Sequence, residues 1–295
     1  MNKFITLDEL NIVLYHESCS DGVTSAFIFK YFCELINNNI DIYPCNFKGN
    51  NIDLSLLNNK NVIMVDICTE NVEHIKNITN KLFVLDHHKT NLEIMTGKDY
   101  CYFDMNKSGC GLALDYCLDN SNVEFIKLVE DRDLFTKKYN NTEYFAIEYY
   151  ENVIKTKDYN LFKELMIDNE LDKSILQKYI DNGLEKCEEK NRQLLLLFNS
   201  VKIENIKIIN TDKIYKIVKF ECPRDLRSDF GNHCMNNLDI DFAVMYYYDK
   251  FNNEYWVSLR SIDTKTDTTS VGGKGHRNAS GMTLKNHPDE YFITI

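Results

Sequence analysis

No two of the ten cysteines are spaced as C-x-x-C, which removes the commonest thiol-metal and redox signatures. A chain of 295 residues can build proper cores, so it does not need a disulfide framework either. The cysteines are read as reduced thiols of a cytosolic protein, mostly buried as small apolar groups. No apolar run approaches the roughly 18 residues of a membrane span; the longest candidate, Leu194 to Phe198, is far shorter. The opening stretch, Met1 to Asn11, is polar and carries Asp8 and Glu9, unlike a secretory leader. Positive charge is in deficit, with a formal net charge of −11. A long duplex would be repelled by that average field, which argues against a sequence-reading DNA binder. It does not exclude a short anionic ligand held by a local basic patch: Arg224, Arg227, Arg260 and Arg277 fall in one C-terminal stretch. There is no internal repeat and no low-complexity linker.

The pattern is that of an α/β protein. The run Asn11–Tyr15 reads as a buried strand, and Val62–Val65 and Leu82–Leu85 as two more. Val23, Phe27, Tyr31 and Leu35 recur at helical spacing, with Ser20 and Asp21 placed to cap that helix. Strands alternating with helices imply a parallel sheet covered on both faces. From about Asn140 to Ser200 the pattern is helical, with one or two long helices over Asp172 to Phe198. Beyond Ser200, strands are expected at Ile206–Ile209, Ile214–Phe220, Ile240–Tyr248 and Tyr255–Arg260, with a helix at Asp225–Met235 and a Gly-rich loop at Gly272–Gly275. The expected architecture is a parallel-sheet N-terminal domain with helices on both faces, a helical linker, and a smaller α/β C-terminal domain. Their bounds are 1–190 and 200–295.

Four segments of the first half carry His and Asp where a core would reject them. They are His16 through Gly22, then Asp66, then Asp86 through Thr90, then Asp131-Arg132-Asp133. The first three follow directly on buried strands, at the edge where ligands of parallel sheets sit. Unpaired buried carboxylates are costly, so several on one edge suggest a cation that neutralises them. Mixed imidazole and carboxylate donors suit Mn, Fe, Zn or Co better than Ca. A lone strand-end Asp is more often a cap or turn residue, and a lone His pair is usually surface decoration; the set together outweighs its members.

The set resembles the DHH phosphoesterase superfamily, whose name comes from the triplet seen here as Asp86-His87-His88. The stretch Val84–Thr90 (VLDHHKT) carries the third motif, and Phe103–Leu112 (FDMNKSGCGL) is similar to the segment that follows it. Gly272 to Gly281 is similar to the GGGHxxAAG signature of the DHH-associated domain. The resemblance implies a catalytic domain over 1–190 and a DHH-associated substrate-binding domain over 200–295, of the nanoRNase and RecJ-like branch. It further implies a hydrolase of short oligonucleotides or nucleotide-like phosphoesters, acting through two divalent ions, Mn by preference.

Carried over by position, Asp66 would bridge the two ions. One ion would take His16, Cys19 and Asp66, and the other Asp21, Asp66, His87 and Asp131, with Asp133 as the alternative to Asp131. His88 would stand near the attacking water or the phosphate, and Asp86 would orient its neighbours. Arg260, Gly272, Gly273, Lys274, Gly275 and His276 would grip substrate phosphate, in a cleft suited to a short single strand. No long duplex and no membrane partner is expected.

Two residues depart from the family pattern. Cys19 stands where an aspartate is usual; it reads either as a buried structural thiol or as a thiolate ligand, which would tilt that ion toward Fe, Co or Zn. Lys274 interrupts the glycine run, either adding charge or blocking approach. The alternatives to an oligonucleotide hydrolase are a polyphosphate or nucleoside-bisphosphate phosphatase, and an inactive nucleotide-binding module.

Overall fold

A computed structural model describes residues 4–17, 19–118 and 122–295. They form two compact units, Met1–Lys186 and Cys187–Ile295.

The first unit is built on a five-stranded, wholly parallel sheet. Its strands are β1 (Ile12–His16), β2 (Asp41–Cys45), β3 (Asn61–Val65), β4 (Lys81–Asp86) and β5 (Cys101–Phe103), in the order β2-β1-β3-β4-β5. Alternate residues of each central strand feed two cores, as the two-residue side-chain period demands. Val13, Ile63, Val65, Phe83 and Leu85 face one core, and Ile12, Leu14, Val62, Met64 and Val84 face the other. Strands buried on both faces must be apolar throughout, which is why β1, β3 and β4 were legible as short hydrophobic runs. β2 and β5 lie at the edges, carry Pro44 and exposed or half-exposed residues, and gave no such run.

Among the described residues, eight α-helices accompany this unit: α1 (Ser20–Leu35), α2 (Val72–Ile78), the single turn α3 (Leu92–Met95), α4 (Gly109–Cys117), α5 (Glu124–Asp133), α6 (Thr142–Tyr149), α7 (Tyr159–Glu170) and α8 (Ser174–Phe198). A π-helical turn, Tyr150–Ile154, continues α6 directly. Phe27, Leu112, Phe125, Phe145, Tyr149 and Phe162 join the larger core from these helices. α1 is capped by Cys19 rather than by Ser20 or Asp21: the Gly22 N–H donates to Cys19 Sγ at 3.1 Å. α8 is one continuous helix. Leu176, Tyr179 and Ile180 pack in the first unit, and Leu194 belongs to an apolar cluster of the second.

The second unit is a seven-stranded sheet in the order β10-β11-β9-β8-β7-β6-β12. The strands are β6 (Ile203–Ile208), β7 (Ile214–Glu221), β8 (Phe242–Asp249), β9 (Glu254–Arg260), β10 (Lys274–His276), β11 (Ala279–Leu284) and β12 (Phe292–Thr294). In this sheet β7 and β8 pair in parallel, and α9 (Arg227–Asn237) makes the crossover that a parallel pair needs. Phe230, Cys234 and Met235 of α9 pack on one face of the sheet with Val218 and Met245, while Ile217, Phe242, Val244 and Leu259 face the opposite core. No helix among the described residues is long and apolar enough to cross a membrane.

Candidate metal centre

The register of the parallel sheet assembles the site. Tyr15 pairs with Val65 and Val65 with Leu85. The chain therefore leaves β1, β3 and β4 side by side, at His16, Asp66 and Asp86. Asp66 departs from the ladder with φ 61°, a left-handed conformation unusual for a residue other than glycine. Its N–H still donates to the Leu85 carbonyl at 2.9 Å, so the turn is anchored to the neighbouring strand. Backbone held in this way at a buried carboxylate is a feature of functional sites.

The two oxygens of Asp66 serve two different groups. Oδ2 accepts the Cys19 thiol at 3.0 Å and lies 3.6 Å from His16 Nδ1, while His16 Nδ1 is 3.3 Å from Cys19 Sγ. Oδ1 lies 3.1 Å from His87 Nε2 and 3.8 Å from His88 Nδ1. His87 Nε2 is also 3.7 Å from Asp21 Oδ2 and 3.5 Å from Asp133 Oδ2. Within His16-Cys19-Asp66, and again within Asp21-His87-Asp133, the donor atoms all lie within 4.8 Å of one another. Each set is compact enough to converge on one ion.

The electrostatics point the same way. Asp21, Asp66 and Asp86 are each about 1% exposed or less. Among the described residues, no lysine or arginine ion pair reaches any of them; only imidazoles do. Burial pushes Asp66 up, but hydrogen bonds from His16, His87 and Cys19 outweigh it and hold its carboxyl well below the usual range. Asp21 is pushed well up, by burial first and then by the charges of Asp66 and Asp133. Burial likewise raises Asp133, with Asp66 adding to it. His87 is pushed up to about 9: burial opposes the charge, but Asp66, Asp21 and Asp133 prevail. A cluster that draws a proton onto its imidazole and raises two of its carboxyls is short of positive charge, which divalent ions would supply.

Asp86 has a different part. Its Oδ1 accepts the backbone N–H groups of His87 at 2.7 Å and His88 at 3.2 Å and meets His88 Nδ1 at 2.8 Å, while Oδ2 accepts Asn91 Nδ2 at 2.6 Å. These bonds fix the two histidines, and Asp66, Asp86, His87 and His88 form a third group whose donor atoms all lie within 4.8 Å of one another. The hydrogen bond to Asp86 raises His88 against the effect of burial.

Asp131 requires a correction. The sequence reading placed it among the ligands, with Asp133 as the alternative. In the structure its Oδ1 accepts from the Thr136 hydroxyl and, at 2.8 Å, from the Lys138 N–H, while Oδ2 accepts the Thr142 hydroxyl at 2.5 Å. It closes the turn after α5, and Asp133 is the carboxylate brought to His87 and Asp21.

Three supporting residues had no role assigned from the sequence. At the N-terminus of α4, the Gly109 and Cys110 N–H groups donate to Asp21 Oδ2 and Oδ1 at 2.5 and 2.9 Å. A Cβ on Gly109 would fall 2.5 Å from Asp66 Cβ and 2.8 Å from Asp21 Oδ2, so only glycine lets the helix start approach both carboxylates. Asn91 holds Asp86. The family-like segment Phe103–Leu112 was the available signal for Gly109; nothing marked Asn91.

The remaining candidates lie in the second unit. Lys274, Gly275 and His276 form the edge strand β10, paired with Gly281, Ser280 and Ala279, so the expected glycine loop is half strand. All three are exposed. Gly272 has φ 100° and Gly275 φ 140°, which favour glycine, and a Cβ on Gly273 would strike Ser280 Oγ at 2.0 Å. Arg260 is part-buried, donating to Ser228 Oγ at 2.6 Å and to the Leu259 carbonyl at 2.9 Å.

A family model described as "DHH family, N-terminal domain" matches residues 11–147. An uncharacterized protein of Acanthamoeba polyphaga mimivirus is 32% identical over 302 residues, spanning 95% of this chain and 69% of that protein. The pGpG-specific phosphodiesterase PggH of Vibrio cholerae superposes with a TM-score of 0.52 at 10% identity, over 96% of this chain and 95% of that one, a likeness of fold. RecJ of Thermus thermophilus in complex with Mn2+ gives a lower TM-score of 0.43 at 10% identity, over 94% of this chain and 50% of that one.

Proposed function

This chain belongs to the DHH family of phosphoesterases, and on that premise we propose that it hydrolyses short oligonucleotides or nucleotide-like phosphoesters at a two-metal centre. The observation that carries the reading is the division of the Asp66 carboxylate, one oxygen toward His16 and Cys19 and the other toward His87. His16, Cys19 and Asp66 would hold one ion, and Asp21, Asp66, His87 and Asp133 the other. The donors fit divalent ions of the Mn, Fe, Co and Zn group; the carboxylates favour Mn, the imidazoles Fe and Zn, and a Cys19 thiolate the softer members. Bound there, the ions supply a water of lowered pKa and neutralise charge on phosphoryl oxygens.

The protein's own residues do the positioning. Asp86 fixes Nδ1 of His88, so the other ring nitrogen is free to give or take a proton at a phosphoryl oxygen or the attacking water. The Gly109 and Cys110 N–H groups hold Asp21 in one orientation without using a cation. In the second unit, we assign the phosphate grip to exposed Lys274 and His276, with Arg260 and the glycines Gly272, Gly273 and Gly275 giving close backbone approach.

The test joins metal analysis to a screen of di- to pentanucleotides, cyclic dinucleotides and polyphosphate. The expected result is two ions per chain, activity abolished by chelation, and faster cleavage of short oligonucleotides than of long single strands, with duplex DNA resistant. Preference for polyphosphate would replace the nucleotide reading. A fully loaded protein that cleaves no phosphoester would overturn the enzymatic one.

A further inference from the structure

A cavity of about 460 Å³ opens beside the metal centre within the first unit, a volume typical of small-molecule sites. Cys19, Asp21 and Asp133 line it, together with Arg132, Phe135, Glu143 and Tyr150 among others. We propose that this cavity is a base-binding subsite, with the ring of a substrate nucleotide stacked on Phe135 and Tyr150 and its phosphate drawn to Arg132. The inference rests on the nucleotide reading of the metal centre and narrows its substrate to phosphoesters that carry an aromatic base.

Three observations converge on it. Phe135 is 81% and Tyr150 46% exposed, whereas the neighbouring Phe125, Phe145 and Tyr149 are all but fully buried. Two large rings left in water beside a cluster of buried carboxylates offer stacking faces that a base would cover. Both are also displayed by irregular backbone. Phe135 has φ 53°, unusual for a bulky side chain, in a turn tied down by Asp131 through Thr136 and Lys138. Tyr150 opens the π-helical turn Tyr150–Ile154, a rare element that recurs at functional sites. Asp131, freed from ligation, thus has a use: it holds the turn that presents Phe135. Finally, among the described residues the Arg132 guanidinium has no hydrogen-bond or ion-pair partner. A charged fork at the wall of a cavity shared with metal ligands is suited to a phosphate. An inorganic polyphosphate would use Arg132 and leave both rings wet.

The experiment compares a dinucleotide with its abasic counterpart on the full chain, and separately measures equilibrium binding of AMP. Phe135→Ala and Tyr150→Ala alter exposed side chains and leave the core intact. Each is expected to lower kcat/KM on the dinucleotide by about 5- to 150-fold, the range of one base–aromatic stack, mainly through KM. The abasic substrate should be affected less than about 2-fold, a small margin beside one stack. AMP binding should weaken in parallel, and Arg132→Ala should weaken AMP more than adenosine. Equal losses on both substrates, or no change in either turnover or AMP binding, overturn the subsite. If the wild type cleaves neither substrate while AMP binding still depends on Phe135 and Tyr150, the enzymatic reading fails and the subsite stands. If it cleaves the dinucleotide and the variants are neutral, the reverse holds.

Discussion

The carboxyl edge of the first sheet and the β10 edge of the second unit differ in how much of their chemistry is already tied down. At the first, Asp66, Asp86 and Asp21 are buried and every carboxylate oxygen of the three has a partner within the cluster. At the second, Lys274 and His276 stand exposed on a three-residue edge strand. The lesson is one of preorganisation. Buried charge must be held rigidly and compensated, so the cluster of carboxylates and imidazoles is fixed before any ligand arrives. An exposed cation costs little to display and can wait for its anion. Substitutions at the first edge should therefore disturb metal and fold together, and those at the second only substrate binding.

The largest effect is expected at the shared carboxylate. Asp66→Asn removes the charge common to both ligand sets and should lower the rate at least about 10³-fold, because the nucleophile depends on the ions. Metal analysis should find most of both ions gone. Substantial activity in a folded Asp66→Asn protein would abolish the contrast between the edges.

Gly109→Ala tests the closeness of packing. Its new Cβ must displace Asp66 or Asp21, at an expected cost of about 1–3 kcal/mol in denaturant unfolding, with lowered metal affinity. A variant as stable and as well loaded as the wild type would show that the approach of α4 is not needed.

The paired substitutions Asp133→Asn and Asp131→Asn sharpen the comparison inside the first edge. Asp133→Asn should lose one ion and leave apo stability unchanged or slightly raised, since burial and Asp66 already disfavour its charge. Asp131→Asn should keep both ions but cost about 1–3 kcal/mol, having weakened bonds to Thr136, Lys138 and Thr142. The opposite pattern of metal content would restore Asp131 as the ligand.

Cys19 links capping to ligation. Cys19→Ala should lose one ion more readily than the other and about 0.5–2 kcal/mol of stability with the cap. Cys19→Asp should keep both functions and shift preference toward Mn. Full loading with unchanged metal preference in Cys19→Ala would leave Cys19 as a cap alone.

The smallest structural effect belongs to the second unit. His276→Ala should change stability by no more than about 0.5 kcal/mol and leave metal content alone, while raising KM for oligonucleotides. Metal loss in this variant would dissolve the distinction between the edges.

Much of this arrangement was legible beforehand, for identifiable reasons. β1, β3 and β4 are buried on both faces and so wrote themselves as apolar runs; His16, Asp66 and Asp86 stood out because each interrupts or follows such a run. The edge strands β2, β5 and β12 are short and half wet, and were not seen. The cap of α1 was misplaced by one residue because a thiol seldom serves where Ser20 or Asp21 was available; the close contacts of Cys19 Sγ with Gly22, His16 and Asp66 explain the choice.

The sequence by itself determined the parallel sheet, the set of donor types and the edge on which they gather, since apolar runs and misplaced carboxylates are local properties of the chain. Only the tertiary structure places Asp133, and not Asp131, beside His87 and Asp21. Asp131 and Asp133 lie two residues apart at the end of α5, about 200° around the helix axis, so one carboxylate must turn toward the metal centre and the other away. Both fit the same motif. The face that points inward is set by Phe125, Ile126, Leu128 and Val129 packing into the core, a choice made by distant partners that no local pattern records.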